Sequence, residues 1–189
     1  MGHFVVIDTE TNWADQVMSI GAIIADGDTL EPAAAKYHIL PMACEMGGMY
    51  YDALFIDTPV NPILCTRREA MNDLLAWFRK YGVTSIFAYN AAFDRNHLPE
   101  LHSLDWYDIM GLAAYRQHNP KIPAAAPCCS TGRLKRGYGV EPMLRLLSGD
   151  DTYCETHNAL FDAMDELEIM RRLGHSPNRY TPLSACGAL

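Results

Sequence analysis

Phe4-Val5-Val6-Ile7-Asp8-Thr9-Glu10 is the stretch that decides the fold. Four apolar residues in a row alternate too little for a strand with one wet face, so residues 4–10 read as a strand covered on both sides. Alternate side chains of a strand face opposite ways, and Asp8 and Glu10, two apart, therefore project to the same side at its end. Two adjacent carboxylates emerging from an apolar strand repel each other unless a cation lies between them, and Mg2+ or Mn2+ with oxygen ligands meets that need. Taken alone, such a pair is more often a solvent-facing strand end.

Working outward, Val17–Ala25 is a second apolar run that stops at the turn-prone Asp26-Gly27-Asp28, which predicts a hairpin. Lys36–Leu40 follows as a third strand, and residues 41–65 show no clear periodicity, only an irregular connection with room for a short helix. Thr66 and Glu69 have capping-box spacing, and Met71, Leu74, Leu75 and Phe78 then recur at helical intervals up to Gly82. The remaining pattern is strand at Ser85–Tyr89, helix at Ala91–His102, a strand-to-helix passage at Tyr107–Tyr115, and helices at Val140–Leu147 and Asn158–Leu173. Strands first, then strands interleaved with helices, predict an α/β fold: a mixed β-sheet, antiparallel in its first three strands and parallel afterwards, flanked by helices. One domain over 1–174 suits 189 residues, with a Pro-, Ser- and Gly-rich irregular tail at 175–189.

Composition narrows the class. Hydrophobic residues make up 49% and charged residues 20%, an ordinary globular balance, and no apolar run is long enough to span a bilayer. Six cysteines (Cys44, Cys65, Cys128, Cys129, Cys154, Cys186) lack any C-x-x-C pair, so reduced thiols and a cytoplasmic setting are expected. A net charge of −8 argues against a protein that holds nucleic acid mainly by a broad basic surface. It is compatible with an enzyme that grips a few phosphates through bound cations, where surplus carboxylates serve as ligands. Arg133, Lys135 and Arg136 read as a solvated loop, and Gly132-x-x-x-x-Gly137 lacks the Lys-Ser/Thr of a phosphate-cradling loop.

Two further acids stand out. Asp94 falls in the first turn of a helix after Asn90, where the dipole alone stabilises an acid. His157 precedes the last helix and Asp162 lies about one turn into it; five positions apart on a continuous helix they would face different ways, so His157 must sit at the entrance if both reach one site. Asp165 and Glu166 read as a solvated helix face.

In order and spacing, Asp8-Thr-Glu10, Asn90-Ala-Ala-Phe-Asp94 and His157-x-Ala-x-x-Asp162 resemble the three motifs of the DEDDh exonucleases, which have a ribonuclease H-like fold and include polymerase proofreading subunits, ribonuclease T and oligoribonuclease. The resemblance spans residues 4–173. It implies a 3′–5′ exonuclease that releases mononucleotides from single-stranded DNA or RNA ends. Asp8, Glu10, Asp94 and Asp162 would ligate two divalent ions, Mg2+ or Mn2+, with Asp8 bridging, and His157 would be the general base. Thr9, Thr11, Trp13, Asn90 and Phe93 fall where the substrate would be contacted, and Asp108 matches a polar position read as structural. A polymerase or a second copy of the chain is the protein partner such relatives suggest. Thr11-Asn12-Trp13 departs from the Thr-Gly that follows the first motif in many members, which puts the terminal-nucleotide pocket in question; Trp13 either stacks on a base or is a core or rim aromatic. Two other readings stay open: a catalytically silent nucleic-acid-binding or polymerase-associated module, and a dinucleotide phosphodiesterase.

Overall fold

A computed structural model of the chain describes residues 2–183. Within them six strands, β1 (His3–Thr11), β2 (Val17–Asp26), β3 (Pro32–Ile39), β4 (Ile63–Leu64), β5 (Ser85–Ala88) and β6 (Asp105–Asp108), form one sheet in the order β4-β3-β2-β1-β5-β6. β1 to β3 are antiparallel, whereas β5 and β6 continue parallel to β1, the mixed sheet expected from the sequence. β4 was not foreseen; two residues pairing parallel with β3 inside 41–65 are too short to leave a period.

Among the described residues six α-helices flank the sheet: α1 (Pro41–Cys44), α2 (Arg67–Tyr81), α3 (Ala92–His97), α4 (Met110–Ala113), α5 (Val140–Ser148) and α6 (Ala159–Leu173). α2 begins with the reciprocal Thr66–Glu69 capping box and ends on Gly82 at φ 66°, as its sequence dictates. Its buried Ala70, Met71, Leu74 and Phe78 cover the sheet face that carries Val5, Ile7, Ile20 and Ile86. On the opposite face Phe4, Val6, Ile23 and Phe87 pack against Leu144 of α5 and Leu160, Ala163 and Leu167 of α6. β1 is thus covered on both sides, which explains its unbroken apolar run.

Two expectations need correction. The helix expected over 91–102 stops at His97, because Pro99 denies the next turn its N–H, and a separate 3-10 turn spans Pro99–Leu101. The irregular tail starts out packed: Leu183 N–H donates to Trp106 O at 2.7 Å, Pro182 bridges Tyr107, and Tyr180 is buried. Residues 184–189, with Cys186, lie outside the described residues. Among those described, Cys44, Cys65, Cys128, Cys129 and Cys154 are free thiols, and no helix is long and apolar enough to cross a membrane.

Candidate active site

Antiparallel register places Asp8 opposite Gly21 and Gly21 opposite Tyr37, and residues opposed across a ladder share a face. Asp8, Gly21 and Tyr37 therefore form one row beneath the start of α6. Gly21 is what lets the helix approach: a Cβ there would lie 2.0 Å from Ala159 O and 2.3 Å from Leu160 N, both backbone atoms. Tyr37 closes the row, its hydroxyl receiving a hydrogen bond from Asn158 Nδ2 at 3.0 Å. Asn158 caps α6, its Oδ1 accepting from Leu160 N.

The first turn of α6, seated on the sheet, brings buried Asp162 to the carboxyl end of β1, where Glu10 and half-buried Asp8 project. The Glu10 and Asp162 carboxyls are close enough to share a proton. Asp94 enters from α3 and is 2% exposed; its Oδ1 accepts from the Thr9 hydroxyl at 2.8 Å. Thr9, expected among the substrate contacts, is buried on the other face of β1 and committed to holding Asp94. His157 stands two residues before α6 with φ +55°, at the helix entrance as required, and one of its ring nitrogens lies within 4.8 Å of carboxylate oxygens of both Glu10 and Asp162.

Burial is the main force that pushes all four carboxyls well above their ordinary range, and mutual repulsion adds to it: Asp94 and Glu10 act on Asp8, Asp162 acts on Glu10, and Asp8 acts on Asp162. For Asp94 the Thr9 hydrogen bond opposes the rise. Burial lowers the proton affinity of His157.

Do these residues fit a divalent cation? Among the described residues no lysine or arginine pairs with any of the four acids, and Asp162 Oδ1 is buried without a hydrogen-bond partner. An all-carboxylate set with an orphaned buried oxygen has the donor chemistry of Mg2+ or Mn2+, and a cation would remove the repulsion.

Three acids here stand apart from the sequence reading, two of them expected on a solvated face and one not singled out. Glu166, expected on a solvated face, is 1% exposed: four residues after Asp162 it shares that residue's inward side, and its carboxylate accepts the Tyr89 N–H. Asp165 is half-buried and accepts the Tyr153 hydroxyl, so that face is not solvated either. Glu155, raised to about 6 chiefly by burial, adds negative potential at Asp8, Glu10 and Asp162. Its one sequence signal was a position two residues before His157.

The flanking residues divide. Asn90, with φ +60°, and Phe93 are exposed on the turn from β5 to α3, and Asp108 Oδ1 braces that turn by accepting from Asn90 N and Met110 N, both at 2.9 Å. Trp13 is 67% exposed and packs its ring edge near Gly47, a rim aromatic rather than a core one, while Thr11 is half-buried. Arg133 lies over the Tyr138 ring at 5.1 Å, and its neighbour Leu134 is buried, so the basic loop is partly anchored.

No protein-family model and no curated protein sequence matches the chain. Solved structures match its fold. The 3′-exonuclease described in "3'-end specific recognition of histone mRNA stem-loop by 3'-exonuclease" aligns over 97% of this chain and 91% of its own, with TM-score 0.64 and 12% identity. The nuclease domain of 3'hExo, a DEDDh family member bound to rAMP, aligns over 97% and 96% with TM-score 0.61 and 14% identity. E. coli Exonuclease I in complex with a 5cy-dT13 oligonucleotide aligns over 95% of this chain and 41% of its own, with TM-score 0.59 and 14% identity. The fold neighbours are thus 3′-exonucleases, and the likeness shows a shared ribonuclease H-like fold.

Proposed function

We propose that this chain is a metal-dependent 3′–5′ exonuclease, a single domain that releases mononucleotides from single-stranded DNA or RNA ends. One observation carries this reading: carboxylate oxygens of Glu10 and Asp162 lie within 4.8 Å of a His157 ring nitrogen, and Asp8 and Asp94 are near enough to add their repulsion, on a fold shared with 3′-exonucleases. Asp8, Glu10, Asp94 and Asp162 would hold two Mg2+ or Mn2+ ions, which when bound stabilise charge on the phosphate and on the leaving 3′ oxygen. β1, α3 and α6 hold the four acids in place before substrate arrives, and such preorganisation is a main source of rate in enzyme sites.

His157 supplies the proton chemistry. A neutral imidazole takes a proton from water as its oxygen attacks phosphorus in line, while the bond from phosphorus to the 3′ oxygen breaks and that oxygen is protonated from solvent. Burial favours the neutral form this role needs. Thr9 steadies Asp94, and exposed Trp13 and Phe93 offer faces on which terminal bases stack, with Asn90 and Thr11 as polar contacts beside them. A proofreading polymerase or a second copy of the chain suits such an enzyme as partner.

The test is a matched panel of 5′-labelled DNA and RNA single strands, dinucleotides and 3′-blocked strands, incubated with Mn2+. Stepwise shortening from free 3′ ends, with mononucleotide products and none from Asp8→Ala, is expected. Intact strands would rule the reading out, and turnover confined to dinucleotides would make the protein a small-substrate phosphodiesterase. His157→Ala should lower turnover by about 10²- to 10⁴-fold, the usual worth of a general base. Mn2+ affinity measured by calorimetry should stay nearly unchanged in that variant; an equal loss of metal binding would make His157 a ligand instead.

A further inference from the structure

Among the described residues no hydrogen bond fixes the His157 ring. What touches it is Tyr50, whose ring stacks on the imidazole with centroids 3.8 Å apart and planes 14° from parallel. Tyr50 comes from the irregular connection after α1, a segment to which the sequence assigned no task. That segment is nevertheless fastened to the cap of α6. Tyr37 Oη donates to Leu54 O at 2.9 Å, and Asn158 Nδ2 donates to Ala53 O at 2.7 Å as well as to the Tyr37 hydroxyl. Tyr37, Leu54 and Asn158 are each 0% exposed, so the clamp is sheltered from water and its hydrogen bonds are hard to replace. Ala53 N–H in turn donates to Tyr50 O at 3.1 Å, which ties Tyr50 itself to the clamped turn.

A general base works only when its nitrogen faces the reacting water, and a ring with no hydrogen-bonded partner is free to turn about χ2 unless packing stops it. Stacking fixes the plane of the imidazole while leaving both nitrogens available. It acts on a residue whose left-handed backbone already departs from the common conformations, a departure that persists only where neighbours enforce it.

We propose that Tyr50 is the positioning residue for His157: its ring, held by the Tyr37–Asn158–Ala53 clamp, sets the plane in which the imidazole meets the attacking water. The inference rests on His157 being the base of the exonuclease proposed above.

Two readouts test it. In metal-free protein carrying isotope-labelled histidine, the His157 ring protons should resonate upfield in wild type and Tyr50→Phe, and move downfield in Tyr50→Leu, which keeps apolar bulk and loses the stacked ring. With Mn2+ and a single strand, Tyr50→Leu should lose roughly 10- to 100-fold in kcat, the scale of a small misplacement, with KM nearly unchanged, and Tyr50→Phe should restore turnover. In a His157→Ala background Tyr50→Leu should cost nothing further, because the ring it aims is gone. Ring protons that do not respond to Tyr50→Leu, or an equal loss of kcat with and without His157, would overturn the proposal. Wild-type protein that leaves the strand intact would overturn the exonuclease assignment and this inference with it, whereas wild-type cleavage with undiminished Tyr50→Leu turnover would overturn this inference alone.

Discussion

Gly21→Ala is expected to disable the protein although residue 21 carries no functional group. The added methyl would meet Ala159 O at 2.0 Å and Leu160 N at 2.3 Å, and neither atom can swing away because both belong to the first turn of α6. The helix must lift, or β2 must sink into the core on the other face. Overpacking of a well-filled interior costs about 1–3 kcal/mol where side chains can give, and backbone against backbone belongs at the upper end or beyond it. For a chain of this size about 3 kcal/mol lowers Tm by roughly 6–12 °C. Activity should suffer more than stability at moderate temperature, since Asp162 lies in the same turn and His157 just before it, and misplacement by about 1 Å costs on the order of 10²-fold. Gly111→Ala is the control. Its new methyl meets nothing within 4 Å in α4, so Tm and turnover should hardly move. A Gly21→Ala protein with wild-type Tm and cleavage would show that α6 is not seated on the Asp8–Gly21–Tyr37 row.

Asp162→Asn separates stability from function. It keeps the shape of the side chain and removes one of four crowded charges, so turnover should fall by roughly 10³-fold or more, equivalent to about 4 kcal/mol of charge stabilisation. In metal-free buffer the same variant should be more stable than wild type by roughly 1 kcal/mol, or about 2–4 °C in Tm, because a buried like-charge contact has been relieved. The sign with pH follows from the same groups. Burial and repulsion raise Asp8, Glu10, Asp94 and Asp162 above their unfolded values, so the folded state holds more protons than the unfolded one above about pH 4. Metal-free wild type should therefore lose stability as pH rises from about 4 towards 8. Saturating Mn2+ should flatten that slope and add about 2.7 kcal/mol at a hundredfold excess over Kd. Melting curves from pH 5 to 8, with Mn2+ and with chelator, check both effects; a metal-free protein that gains stability with pH would contradict the crowded-acid account.

Much of this was legible in local patterns. The run at 4–7 announced a strand covered on both faces, and the Thr66–Glu69 box with Gly82 bounded α2, because capping and periodicity act within a few residues. The acids and His157 were legible as residues, and the constraint that His157 stand at the helix entrance followed from helical geometry. What stayed hidden was created by register and tertiary approach. Gly21 looks like any small residue in an apolar strand until pairing sets it opposite Asp8 and under α6. Glu166 looked solvated because adjacent charges usually are, yet its four-residue spacing from Asp162 already placed it inward. The stretch 41–65 gave no period because its order comes from Tyr37 and Asn158, far away in sequence. Pro99 was a second local signal, and it shortened α3.

Manganese scattering tests the central claim most directly. Crystals grown with Mn2+, measured at its absorption edge, should show anomalous density enclosed by the Asp8, Glu10, Asp94 and Asp162 carboxylates, and Asp162→Asn crystals should show it weakened or gone. Clean density for those side chains with no anomalous signal among them, at Mn2+ concentrations that support cleavage, would contradict the account.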